Sequence, residues 1–114
     1  MPQKLYLLHL LTRLTRIYRT MDIAFEQKIT ASPEALVSVI AGESVILNCQ
    51  NEQYYGLDEI GTEMWTKLTT SPTIQSAYET LLQEYDVDAE LLRQDICELL
   101  GNLKAQGLVE IHAA

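Results

Sequence analysis

The sequence predicts an α+β domain in which three antiparallel strands pack on three helices, and three observations carry that prediction. Apolar and β-branched runs fill the stretch from Leu36 to Leu57, separated by short turn-forming breaks. From Asp58 to Gly107 the apolar residues recur instead at three- and four-residue spacing, with capping residues at the interruptions. A chain of 114 residues with 47% hydrophobic content suits one domain with one core.

The elements follow in order. Leu36-Val37-Ser38-Val39-Ile40 reads as a first strand, and Ala41-Gly42-Glu43 turns the chain. Ser44 to Cys49 is a second strand, with Val45, Leu47 and Cys49 on one face. Gln50-Asn51-Glu52 turns it again into a third strand, Gln53-Tyr54-Tyr55-Gly56-Leu57, and connections this short make an antiparallel meander. Ahead of it, Ile23 to Thr30 reads as irregular or strand structure before Pro33. Asp58 caps a first helix with Ile60, Met64, Trp65 and Leu68 on its apolar face, and Thr69-Thr70-Ser71-Pro72 breaks it. Thr73 caps a second, which buries Ile74, Ala77, Tyr78, Leu81, Leu82 and Tyr85. Asp88 caps a third, Val87 staples onto Leu92, and Leu92, Ile96, Leu99, Leu100 and Leu103 share one stripe. Gly107 supplies the left-handed residue that ends it, and Leu108-Val109-Glu110-Ile111 is a short final strand. Strands then helices in this order give a winged-helix-like arrangement.

Residues 1–20 stand apart from the body at 21–114. Leu7, Leu10, Leu11, Leu14, Ile17 and Tyr18 fall on one helical face, and Lys4, Arg13, Arg16 and Arg19 accompany no acid, so the segment carries +4. It lacks the long apolar core and small-residue cleavage site of a signal peptide, and it is too short for a membrane span, so a cytoplasmic protein is expected. Three roles stay open for this amphipathic helix: packing on its own domain or a second copy, docking on a partner enzyme or anionic membrane surface, or an artefact of start-site choice, since Met21 could begin a complete domain.

Charge and residue inventory exclude several function classes. The net charge is −8, and residues 21–114 alone carry −12, which repels phosphate and favours basic or neutral partners. A DNA-reading helix presents Arg, Lys, Asn or Gln, yet the third helix sets only Arg93 and Lys104 against Glu90, Asp95 and Glu98, and the second has no basic residue. Cys49 and Cys97 lack metal-type spacing and read as two buried reduced thiols, with a disulfide as the alternative. His9 and His112 lie at opposite ends of the chain, so no metal site is expected. No nucleophile motif and no phosphate-cradling loop occurs, and the acidic run Glu84 to Glu90 reads as a solvated helix junction. No catalytic residue and no cofactor is expected.

The run Val45-Ile46-Leu47-Asn48, a turn, then Tyr54-Tyr55-Gly56-Leu57-Asp58-Glu59-Ile60-Gly61 and Trp65 resembles the PqqD-like proteins. Glu84-Tyr85-Asp86-Val87-Asp88, Asp95-Ile96 and Leu103 to Val109 continue the resemblance, which spans roughly residues 33 to 111 and leaves the basic segment outside. It implies a non-catalytic RiPP recognition element that binds the leader of a ribosomally made peptide by strand addition at a sheet edge, where unpaired N–H and C=O groups await a partner. The receiving edge it implies is Glu52, Gln53, Tyr54, Tyr55 and Gly56. The groove wall it implies is the third helix, through Leu92, Asp95, Ile96, Leu99, Leu100 and Leu103, with Asp95 and Glu98 attracting basic leader residues. Tyr54 and Tyr55 point to opposite faces, so only one can line the core side, and Gly56 admits a close backbone. Leu99, Leu100 and Leu103 equally suit plain core; Met64 and Trp65 read as core, and Gly61 as a tight packing point.

The chain stops at Ala114 with no fused enzyme, so a separate maturation enzyme is expected as partner beside the precursor leader peptide. The leader protease of a lasso-peptide system comes first, and a radical SAM enzyme of cofactor biosynthesis second. The alternative from another class is an acidic winged-helix interaction or transcription-regulatory protein, a homodimer built through the N-terminal helix.

Overall fold

The computed structural model describes residues 23–113, so the predicted helix over residues 1–20 lies outside the described residues. Their elements run β1 (Lys28–Ala31), β2 (Ala35–Ile40), β3 (Glu43–Asn48), β4 (Gln53–Leu57), α1 (Glu59–Thr70), α2 (Ile74–Glu84), α3 (Ala89–Ala105) and β5 (Val109–His112).

The predicted meander is present as an antiparallel sheet in the order β2-β3-β4. Pairing of Ile40 with Glu43 leaves a two-residue loop, Ala41 and Gly42, with φ of 54° and 83°. Positive φ at both positions gives the loop the twist of its strands. A side chain at Gly42 would also stand 2.9 Å from Glu59 Cγ. The stretch before Pro33 contributes more than the sequence predicts: β1 pairs with β5 in a second, two-stranded sheet, with Ile29 opposite Ile111 and Thr30 Oγ1 2.8 Å from His112 Nε2.

Each predicted cap is made. Asp58 accepts from Gly61 N–H at 2.8 Å, Thr73 and Ser76 form a reciprocal capping box, and Asp88 accepts from Leu91 N–H at 2.9 Å. The first turn of α2 is also tied to the N-terminal stretch, where Ile74 and Gln75 donate to the carbonyls of Gln27 and Phe25. Phe25 is buried edge-on to Tyr78, with the Arg93 guanidinium 3.9 Å from its ring centroid. At Gly61 a Cβ would meet Leu57 Cδ2 at 3.0 Å, which accounts for glycine where the sheet passes into α1.

The core lies between the inner face of the sheet and the helices. Ile46, Leu57, Met64, Trp65, Leu81 and Leu100 are among its members. Period two divides the sheet: Ser44, Ile46 and Asn48 point inward, while Leu36, Ile40, Val45 and Tyr54 are exposed on the outer face. The apolar run of β2 is therefore largely open to solvent, with Ile40 at 76%. Even Val37 and Val39, on the inner side by register, are exposed, so β2 lies beyond the cover of the helices.

The cysteines correct the expectation of two buried thiols. Both are free, but Cys49 is exposed just after β3, and only Cys97 on α3 is half-buried. Burial, opposed by Arg93 and reinforced by Glu90, raises the Cys97 thiol above its ordinary value, so less of it is thiolate at a given pH. A colorimetric disulfide reagent at pH 8 is expected to titrate one thiol, Cys49, rapidly and the second slowly; two equal fast phases would contradict this placement. Among the described residues, no helix is long and apolar enough to cross a membrane.

Candidate functional site

Strand order makes β4 an edge: β3 occupies one side, and among the described residues no strand pairs with the other. An antiparallel edge of this kind presents backbone donors and acceptors to solvent. The two tyrosines divide as period two requires. Tyr54 is 72% exposed on the outer face, opposite Leu47, whereas Tyr55 is half-buried against the hydrophobic core, opposite Ile46. Gly56, opposite Val45, has nothing within 4 Å of the place a Cβ would take, so the outer face is open there. Glu52 and Gln53 are exposed at the start of the strand, and Glu52 adopts a positive φ of 62° to complete the turn.

On α3, Leu92, Ile96, Leu99, Leu100 and Leu103 all belong to the core cluster on which Tyr55 packs. Edge and helix thus share one hydrophobic foundation. Asp95 is an exception among these apolar neighbours: it is a carboxylate with no solvent exposure, one turn from both Leu92 and Leu99. Leu91, Glu98 and Asn102 follow the same flank at three- and four-residue spacing, all half-buried. Glu98 Oε1 is buried and makes no hydrogen bond among the described residues. The flank Leu91, Asp95, Glu98 and Asn102 was legible as an i, i+4, i+7, i+11 series, but leucine spacing draws attention to the neighbouring stripe.

One side chain fixes the helix to the hairpin. Asn48, buried at the end of β3 and opposite Gln53, donates from Nδ2 to the Gln106 carbonyl at 2.8 Å, while its Oδ1 accepts from Gln50 N–H at 2.9 Å. Gly107 follows with φ of 71°, and a Cβ there would stand 3.1 Å from Asn48 Nδ2. The C-terminal end of α3 is therefore held against the turn end of the β3–β4 hairpin.

A concavity of about 480 Å³ is lined by Val39, Gly42, Glu59, Ile60, Glu63 and Tyr85 among others. Burial, followed by the charges of Glu63, Glu84 and Glu59, raises the Tyr85 hydroxyl above its ordinary value. This cleft is acidic and lies away from β4. Among the described residues, no group of three His, Cys, Asp or Glu side chains is placed to hold a metal ion.

An open antiparallel edge beside a helix, latched by a buried asparagine, is the arrangement on which comparison with known proteins bears. The family model described as coenzyme PQQ synthesis protein D (PqqD) matches residues 43–109, more than half of the chain. The chain belongs to the PqqD family. Its RiPP-recognition character makes it a non-catalytic binding module. No curated protein matches it. Among solved structures, PqqD-family architecture recurs in TbiB1 in complex with the TbiA(beta) leader peptide, 27% identical, with a TM-score of 0.68 over 75% of this chain and 99% of that one. A lasso peptide synthetase B1 complexed with its leader peptide shares the fold at 22% identity, with a TM-score of 0.66 over 73% of this chain and 98% of that one.

Proposed function

We propose that this chain binds the leader peptide of a ribosomally synthesised, post-translationally modified precursor by strand addition at β4 and presents it to a separate maturation enzyme. The observation that carries this reading is the open β4 edge in a fold shared with TbiB1, a protein seen with a leader peptide. An extended leader satisfies the outward N–H and C=O groups from Glu52 to Gly56, and its alternate side chains face opposite sides. Those on the inner side meet Tyr55 and the α3 wall, where Asp95 and Leu99 lie nearest the flank and Leu92, Ile96, Leu100 and Leu103 back it from the core. Those on the outer side pass Tyr54 and the gap at Gly56. Glu98 and Asp95 favour a basic residue in the leader.

The partner enzyme is proposed by likeness to the lasso peptide synthetase B1 structure: a leader-cleaving protease working beside this chain in the cytoplasm. The family's link to a cofactor-synthesis protein supports a radical SAM enzyme as the second candidate.

The test is titration of the protein with the TbiA(beta) leader peptide and with leaders of candidate precursors, followed by versions of the bound leader N-methylated at one amide at a time. Methylation removes a donor worth about 1 kcal/mol and inserts a methyl into the ladder, so affinity is expected to fall roughly tenfold at alternate positions and little between them. No saturable binding, or a loss without two-residue period, would overturn strand addition.

A further inference from the structure

We infer that the free edge of β2, together with the acidic cleft on its inner side, is a second docking site, which takes an extended segment of a partner protein carrying an inward arginine. The edge comes first. Cys49 N–H donates to the Glu34 carbonyl, so by alternation Leu36, Ser38 and Ile40 turn their backbone groups toward β3. Val37 and Val39 turn theirs the other way, where among the described residues no strand pairs with them. Ala35, of the same alternate set, donates its N–H to the Ser32 carbonyl instead, as that division requires. Both faces of the strand are apolar and exposed, with Leu36 and Ile40 on the outer side and Val37 and Val39 on the inner. β3 separates this edge from β4, so a segment here and a peptide on β4 do not exclude one another. The inference stands whatever β4 binds.

The cleft selects the occupant. A strand added to β2 sets alternate side chains on its inner side, about 5 Å from Val37 and Val39. The cleft of about 480 Å³ opens at Val39, with Glu59, Glu63 and Tyr85 in its lining. The Glu59 side chain lies over the β2–β3 loop, its Oε2 3.0 Å from the place a Cβ on Gly42 would take. Glu63 and Glu84 share one cation, Lys67, at 4.0 and 3.4 Å, and the charges of Glu63, Glu84 and Glu59 all act on the Tyr85 hydroxyl. Three carboxylates thus stand against one ammonium beside an aromatic ring. A guanidinium suits that set, because it forks onto carboxylates and stacks on a ring. A second copy suits it less well. Pairing of two β2 strands about a two-fold axis brings Glu59 and Glu63 of both copies to the same side of the sheet, like charge toward like. Charge therefore favours a basic strand from another protein.

The experiment titrates the full chain, in about 0.15 M salt to screen distant charges, with a synthetic β-hairpin whose free strand alternates arginine and valine. Binding is followed by calorimetry and by amide hydrogen exchange. At saturation the Val37 and Val39 N–H groups are expected to exchange roughly fivefold more slowly or better, with Tyr54 and Gly56 unchanged. Val39→Pro loses an N–H that faces away from β3, so the strand is expected to persist while hairpin affinity falls about tenfold. Glu59→Gln with Glu63→Gln leaves the backbone edge alone and is expected to lower affinity about fivefold; this pair decides the matter if the proline variant does not fold. A hairpin of the same composition in scrambled order is expected to bind about tenfold more weakly, and equal affinity would reduce the effect to net charge and overturn the inference. Parent affinity in the glutamine pair, or protection at Tyr54 and Gly56 in place of Val37 and Val39, would overturn it too. So would slow exchange of Val37 and Val39 in the free protein, which would show the edge already filled by the chain itself or by a second copy.

Discussion

Replacing Leu100 by alanine is expected to destabilise the protein by about 2–5 kcal/mol, the range for a buried leucine whose removal leaves a cavity. Leu100 has no solvent exposure and sits in the cluster that joins α3 to the sheet. For a domain of this size each kcal/mol lowers Tm by roughly 4–8 °C, so the fall should be tens of degrees at the upper end. Leader affinity measured well below the new Tm is expected to stay within about twofold of the parent, because the lost methyl groups face the core. A stability loss below 1 kcal/mol, read from urea unfolding, would remove Leu100 from the foundation of the site. By the same logic a charge at Leu99, which is only 6% exposed, is expected to unfold the domain rather than to test peptide binding.

Asn48→Ala is expected to weaken both fold and binding. It removes the donor to the Gln106 carbonyl and the acceptor for Gln50 N–H, two part-buried hydrogen bonds. The cost is about 1–3 kcal/mol. Unlike Leu100, Asn48 joins the end of α3 to the turn end of the hairpin, so its loss frees the wall to move relative to the edge. Leader affinity is expected to fall roughly fivefold, about 1 kcal/mol. Calorimetric unfolding and leader titration on the same preparation check the pair. Unchanged affinity in a destabilised protein would restrict Asn48 to a structural role.

What was legible in the sequence was local. The caps Asp58, Thr73 and Asp88 each bond to a backbone N–H three residues away, so composition alone betrays them. The Ala41-Gly42 turn is equally local. The β1–β5 sheet was not legible, because Lys28 to Ala31 finds its partner some eighty residues later, and four residues carry too little pattern to announce it. Spacing also could not separate core from groove on α3: Leu92, Ile96, Leu100 and Leu103 form a stripe that reads alike whichever it lines. The buried position of Asp95 breaks that symmetry, and burial is a property of the packed state. Cys49 shows the same limit. It shares its strand face with Val45, but only the fold shows that this face looks outward.

The outward-facing strip on β2 has a consequence for how the molecules behave in company. Leu36 and Ile40, with the exposed Val39 on the other side, lie along a strand that among the described residues is bonded on one side only, the kind of edge on which another copy can grow. No proline lies within it, and the only charges at its ends are Glu34, just before it, and Glu43, opposite Ile40. Copies are kept apart instead by the whole body's excess of carboxylates, a long-range repulsion that salt screens within about 10 Å at 0.1 M. The sequence pI is about 4.6, and as pH falls toward it that repulsion fades while the strip remains. Colloidal stability here is an electrostatic property of the surface as a whole, maintained by acids most of which lie away from the edge they guard.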